Sequence, residues 1–483
     1  MAKKEDFIVL ENNRFIARIL EKREMKQLLH YTAVRENHEG WSLVALTGNE
    51  EGKVEWLKTV ISGKDPSIHS LGTIWPAALW LEREITDRTG IEMTGRPKSR
   101  PLLYPEKALP EGVAHGSGTF HMPLGPVRGD VMESIVYMFD LLGEQIMFLD
   151  SQLFYKHRAI EDLAKGMAPE QALQLAERIG GTSTVAHAAA FAAAAEQAAE
   201  IDVSVRTVQE RLLLGELERL YNHAHDIGQL AGATGMSVGQ AQMARIKEEL
   251  LRINADLSGS RFLRGTVHIG RPSTIDWKIH AELCQKKLDD IARRFNRFTF
   301  DLSRTSTFID RLQGTGKTDL KWVREFDVVG PVARASGIFH DARFDYSQKS
   351  LNLGSLQLMT DLRNEGDALG RYKVRVDEWK QSLEFVRLML AFLEDPEWGL
   401  EKWQDDDRIS PEKWGLGIVE SPRGRTNHLV HIDSDRKISF WNVRSASGCN
   451  WPIFGLAAAN GNIQTDFPII ETSFALSVAS CDR

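Results

Sequence analysis

The stretch Ala186-His187-Ala188-Ala189-Ala190-Phe191-Ala192-Ala193-Ala194-Ala195-Glu196-Gln197-Ala198-Ala199-Glu200 decides the architecture. Ten of these residues are alanine and none is glycine or proline, so the stretch reads as a long helix. Side chains this small let neighbouring helices approach closely. Downstream, 206–228 repeats Leu212, Leu213, Leu217 and Leu220 at helical spacing between charged residues. Segments 243–253, 279–295 and 372–393 add three further helical patterns, which predicts a bundle of at least five elements.

On either side of the bundle the pattern changes. Residues 7 to about 95 mix short β-rich runs (7–10, 14–20, 41–46) with helical stretches such as 21–32, the pattern of a small α+β domain. It closes on the run 74–91. Pro97, Pro101, Pro105 and Pro110 mark a connecting segment from about 95 to 120. After 395 the chain reverts to strand and loop, and 428–432 with 437–443 flank Asp433-Ser434-Asp435-Arg436 as a hairpin. Domains of 1–110 and 111–483 are expected.

With 60 basic and 67 acidic residues, the formal charge of −7 gives no electrostatic reason to bind nucleic acid. Cys284, Cys449 and Cys481 are scattered and form no C-x-x-C, which indicates neither a disulfide framework nor a structural zinc site. No run approaches the length of a membrane span, and the first residues do not form a signal peptide. Gln313-Gly314-Thr315-Gly316-Lys317-Thr318 suggests a phosphate loop, but Arg311 stands where that pattern needs glycine. It reads as an ordinary loop.

Several motifs share one family. Trp75-Pro76-Ala77-Ala78-Leu79-Trp80-Leu81-Glu82-Arg83-Glu84-Ile85-Thr86-Asp87 resembles the 30-kDa-type peripheral-arm subunit of respiratory complex I. Gly125-Pro126-Val127, His157-Arg158-Ala159-Ile160-Glu161, Glu216-Leu217-Glu218-Arg219-Leu220-Tyr221-Asn222-His223, Gly330 to Gly337 and Glu420-Ser421-Pro422-Arg423-Gly424 resemble the 49-kDa-type subunit. That subunit is shared by complex I and the group 4 membrane-bound nickel-iron hydrogenases. The fused order is similar to the large subunit of formate-hydrogenlyase-type complexes. The resemblance implies a small N-terminal α+β domain followed by a mainly α-helical hydrogenase-large-subunit-like domain.

The departures from the family matter most. Its two nickel motifs each carry a Cys-x-x-Cys pair; here Gly180 and Ser183, then Ser477 and Ser480, stand at those positions. Nickel in the family is held by four soft thiolates, so the resemblance implies that this chain binds no metal. The histidine and tyrosine that bind the quinone headgroup in the complex I branch fall at Met132 and Gly181, neither of which offers such a side-chain hydrogen bond. Met132, Gly181 and Ser477 are the expected lining of a remodelled cavity. Asp482-Arg483 resembles the end of the mature complex I subunit, which implies no hydrogenase-type processing extension.

Three charged residues lie near the former site by motif position. Glu133 is either a proton relay or a structural carboxylate. Arg178 and Arg423 either hold an anion bidentately or pin loops to buried carbonyls. His187 in the alanine-rich stretch reads as a core or interface histidine. The resemblance further implies a peripheral subunit on the cytoplasmic face of the inner membrane. Its partners would be a small iron-sulfur subunit, which would supply the 4Fe-4S cluster this chain lacks the cysteines to hold, and antiporter-like membrane subunits. A quinone or another small acceptor is the implied substrate class. A noncatalytic coupling subunit is the alternative.

Overall fold

In the computed structural model, residues 7–37, 40–49, 51–61, 63, 65–103, 113, 116–128, 133–346, 363–393 and 412–483 are described. Met132 lies outside them.

The N-terminal region is built on a four-stranded sheet in the order β1-β4-β3-β2, formed by β1 (Ile8–Val9), β2 (Lys26–Asn37), β3 (Gly40–Asn49) and β4 (Val54–Ile61). β1 pairs parallel with β4, and the other neighbours are antiparallel. Helices Asn12–Leu20 and Leu79–Thr89 complete the region, with a parallel pair of short strands, β5 (Ser67–His69) and β6 (Glu92–Thr94).

Two expectations are corrected here. Residues 14–20 are helix, not strand: Phe15, Ile16 and Ile19 are buried on one face at helical spacing. Residues 26–32 are strand, not helix. Leu28 and Tyr31 of β2 enter one apolar cluster while Leu29 enters another, so both faces are buried and the alternation that betrays a strand is missing.

A second sheet, β7 (Thr119–Leu124), β8 (Val136–Leu142) and β9 (Gln145–Gln152), is antiparallel and follows the connecting segment. The sequence reading places a β excursion at this end of the helical region without naming its strands. The bundle then unfolds as expected. Its helices are Thr184–Ala199, Val205–Ala233, Ser237–Ser258, Trp277–Ser303 and Ala368–Leu393. Ser204 caps the second by accepting the Thr207 N–H at 3.2 Å, and Gly259, at φ 74°, ends the third in the left-handed conformation that glycine adopts without strain. Phe295 and Trp379 stack at 3.7 Å in the centre.

The partner of the alanine-rich helix is a strand. β10 (Lys413–Ser421), β11 (Gly424–Ile432) and β12 (Ile438–Arg444) form an antiparallel sheet that includes the expected hairpin. β10 lies directly on the Thr184–Ala199 helix. A Cβ at Gly415 would strike the Ala194 carbonyl, and one at Gly417 the Ala190 carbonyl. Alanine on one element and glycine on the other bring the two backbones into contact. Helices Ala446–Ala459 and Phe467–Phe474 follow, where sequence reading had extended strand and loop. β2 docks on β11, with Asn427 Nδ2 donating to Leu29 O at 2.9 Å, so the N-terminal region is tied to the larger one.

Candidate functional site

The two loops that carry the four substituted positions meet. A Cβ at Gly180 would overlap Ser480 Oγ and lie 3.7 Å from Ser477 Oγ. Ser183 closes the first loop, donating its N–H to Gly180 O at 3.0 Å and accepting from His187 N at 3.0 Å as the Thr184–Ala199 helix begins. In the second loop, Ser480 N donates to Ser477 Oγ at 3.2 Å, and Ser477 N donates to Ser447 Oγ at 2.9 Å. Ser480 Oγ is buried without a hydrogen-bond partner.

Arg158 holds the loops together. Its guanidinium donates to Arg178 O at 2.9 Å and Ile179 O at 2.6 Å on one side, and to Ala479 O at 2.9 Å on the other. His157 Nδ1 lies 2.6 Å from Asp482 O. The His157-Arg158 pair thus fixes how the two loops meet. Its place in a family motif was visible in the sequence, but that role was not.

The donor set does not fit a nickel-iron centre. Glycine offers no side-chain donor, and neutral serine hydroxyls are poor ligands for a soft thiophilic metal. Ser480 also occupies the space a side chain at 180 would need. Burial pushes the Cys481 thiol up, so it is no ready thiolate. Among the described residues no group of three or more His, Cys, Asp or Glu is arranged to hold a metal ion.

The remaining candidates are distributed as follows. Gly181 is exposed, with nothing within 4 Å of its Cβ direction, so open space adjoins it. Arg178 is exposed and donates to Gln174 O at 2.6 Å; its side chain is not brought to the loops. Arg423 is buried and donates from Nε to Ala475 O at 2.6 Å and from Nη1 to Asn222 Oδ1 at 3.0 Å. It ties the second loop to the Val205–Ala233 helix. Glu133 is half-buried and lies near Asp482, whose carboxyl is pushed up to about 6 by burial, with the Glu133 charge adding to the rise. Asp482 accepts the Phe154 N–H at 2.8 Å and the Lys156 N–H at 3.3 Å.

His187 is an interface histidine. Its Nδ1 lies 3.0 Å from His428 Nε2, and Trp441 Nε1 donates to His428 Nδ1 at 3.2 Å. That donation leaves His428 Nδ1 an acceptor and puts the His428 proton on Nε2, facing His187. Burial lowers both imidazoles, His187 to about 3.

Sequence reading missed Glu218. It is fully buried on the Val205–Ala233 helix, and its two oxygens accept the Val185 and Ala186 N–H groups at 2.8 and 3.1 Å. It therefore caps the helix that Ser183 begins, where an anion is favoured. The signal was present, since position 218 falls one turn from Leu214 on the apolar face.

Residues 10–116 match the family of the respiratory-chain NADH dehydrogenase 30 Kd subunit, and residues 233–413 match that of the 49 Kd subunit. Formate hydrogenlyase subunit 5 of Escherichia coli is 27% identical over 464 residues, covering 90% of this chain and 80% of that protein. The membrane-bound hydrogenase subunit alpha of Pyrococcus furiosus is 25% identical over 382 residues, covering 75% and 87%. A chain of the membrane-bound sulfane sulfur reductase, an archaeal respiratory membrane complex, shares the fold with a TM-score of 0.65 at 22% identity, over 77% of this chain and 100% of that one. The chain is thus a fusion of a complex I 30-kDa-type region with a 49-kDa-type region, homologous to the large subunits of formate hydrogenlyase and membrane-bound hydrogenases.

Proposed function

We propose that this chain is the large subunit of a complex I-like, group 4 hydrogenase-related respiratory complex, and that it serves electron transfer linked to ion translocation without nickel-iron chemistry. The observation that carries the reading is the convergence of Gly180, Ser477 and Ser480 at the former metal site with no sulfur among them. In this reading the fold is retained around a site whose chemistry differs. The partners in this reading are a small subunit holding a 4Fe-4S cluster and antiporter-like membrane subunits. The chain itself docks peripherally on the cytoplasmic face; among the described residues no helix is long and apolar enough to cross a membrane.

Two versions of this role differ in what fills the site. In the first, a quinone or another small acceptor would sit against the exposed Gly181, where no side chain stands in its way. The packing of Ser480 against Gly180 favours a closed core and a noncatalytic coupling subunit. Affinity purification from native membranes in mild detergent tests the assignment. Co-purification of an iron-sulfur subunit with antiporter-like proteins is expected, and recovery of this chain alone contradicts it.

A further inference from the structure

The N-terminal region docks on the larger one over a small cluster of buried charge. Arg425 on β11 and Arg444 on β12 share one carboxylate there, that of Asp327, and each arginine is only 4% exposed. Arg425 Nη2 donates to Asp327 Oδ2 at 2.8 Å, whereas Arg444 Nη1 lies 3.6 Å from the same oxygen, too far for a hydrogen bond. The other contacts of the Arg425 fork are to β2, where Nη1 donates to Gln27 Oε1 and Nη2 to Leu28 O at 3.4 Å. Arg444 Nη1 and Arg425 Nε are buried with no hydrogen-bond partner.

A guanidinium keeps its charge and its five N–H groups when buried, so unpaired donors of this kind are costly. Arg371 shows how the same fold meets that demand elsewhere. It too is buried, and it donates to the neutral acceptors Ser473 Oγ at 2.9 Å and Gly366 O at 2.8 Å. Around Arg444 the neutral groups offer less. Burial pushes the nearby Cys449 thiol up and the His30 imidazole down to about 3, so both are uncharged near neutrality. Asn427, opposite Arg444 in the β11–β12 register, has a buried Oδ1 with no donor, which can take one N–H of the five. Among the described residues neither Arg425 nor Arg444 forms an ion pair with any carboxylate but Asp327. One carboxylate thus faces two fixed positive charges.

We propose that Arg425 and Arg444 hold one small inorganic anion, of the chloride class, at this junction. The ion accepts an N–H from each side chain, at Arg444 Nη1 and Arg425 Nε, and supplies the second negative charge. A monatomic anion suits a place so enclosed. Because Arg425 also grips Gln27 and Leu28, the ion adds to the hold of the larger region on β2. An ion that binds the folded chain alone makes its stability depend on the ion's concentration. The site does not depend on the assignment to a respiratory complex.

Crystals of the full-length chain grown in bromide test this directly, since bromide takes a chloride site and scatters anomalously. An anomalous peak in contact with Arg444 Nη1 and Arg425 Nε is expected. In solution, the unfolding midpoint should rise as chloride replaces gluconate at fixed ionic strength and level off as the site fills. Arg444→Met should abolish that rise; if this variant does not fold, the two wild-type measurements decide. A water at that place, with no anomalous signal, overturns the proposal, as does a wild-type midpoint that fails to rise with chloride.

Discussion

Arg483 Nη2 donates to Glu84 Oε2 across 2.6 Å, and the same guanidinium lies 3.2 Å from Glu161. Glu84 belongs to the Leu79–Thr89 helix of the N-terminal region, whereas Glu161 accepts the Val443 N–H of β12 at 2.7 Å. One side chain therefore joins the 30-kDa-type region to the β10-β11-β12 sheet of the larger one.

Arg88 also reaches both carboxylates, Glu84 at 3.1 Å and Glu161 at 2.6 Å, so each keeps a cation when Arg483 is removed. Arg483→Met should therefore destabilise the chain by about 1.5–3 kcal/mol in denaturant unfolding, the loss of its charge-assisted hydrogen bonds. The double variant Glu84→Gln/Arg483→Met should cost less than the sum of the two single changes.

The Gly180 and Ser480 contact makes a steric prediction. Gly180→Ala should destabilise by about 1–3 kcal/mol through overpacking against Ser480 Oγ. Adding Ser480→Gly should recover most of that loss, as read from the unfolding midpoint.

Gly417→Ala on β10 should be worse, about 3 kcal/mol or more, because its Cβ strikes backbone rather than the end of a side chain. Loss of helical circular dichroism at a lower temperature than the wild type checks it.

Why some of this was legible follows from the same contacts. The long helices showed in the sequence because each buries one stripe, as Leu213, Leu217 and Leu220 do. β2 did not, because Leu28 and Leu29 are both fully buried, on opposite faces. The alanine run announced close packing but not its partner; only Gly415 and Gly417, two residues apart on a strand, identify it. Gly180 and Ser480, distant in sequence, could be associated only through the resemblance of their motifs to the family, and the structure brings them into contact. Arg158 and Glu218 escaped because their roles consist of main-chain contacts, which leave no pattern in the side chains.

The histidines set the acid limit. His30, His187 and His428 are buried, and their imidazoles are depressed, the first two to about 3, chiefly by burial. The unfolded chain binds these protons first, so stability from these groups is present above about pH 6.5 and is lost as pH falls toward about 3. Each contributes a slope of up to about 1.4 kcal/mol per pH unit. His187→Asn should make the acid side of a stability-against-pH curve shallower by one histidine's share. Glu218 and Glu420, being raised, act oppositely: their contribution is full below about pH 4.5 and is lost as pH rises toward about 7.

The proposed function requires the hydrogenase-type fold to work here without thiolate-held nickel. Elemental analysis of the complex isolated from native membranes addresses it most directly, with nickel counted per copy of this chain. No nickel is expected, together with no hydrogen uptake or evolution by the same preparation. One nickel per chain would contradict the account.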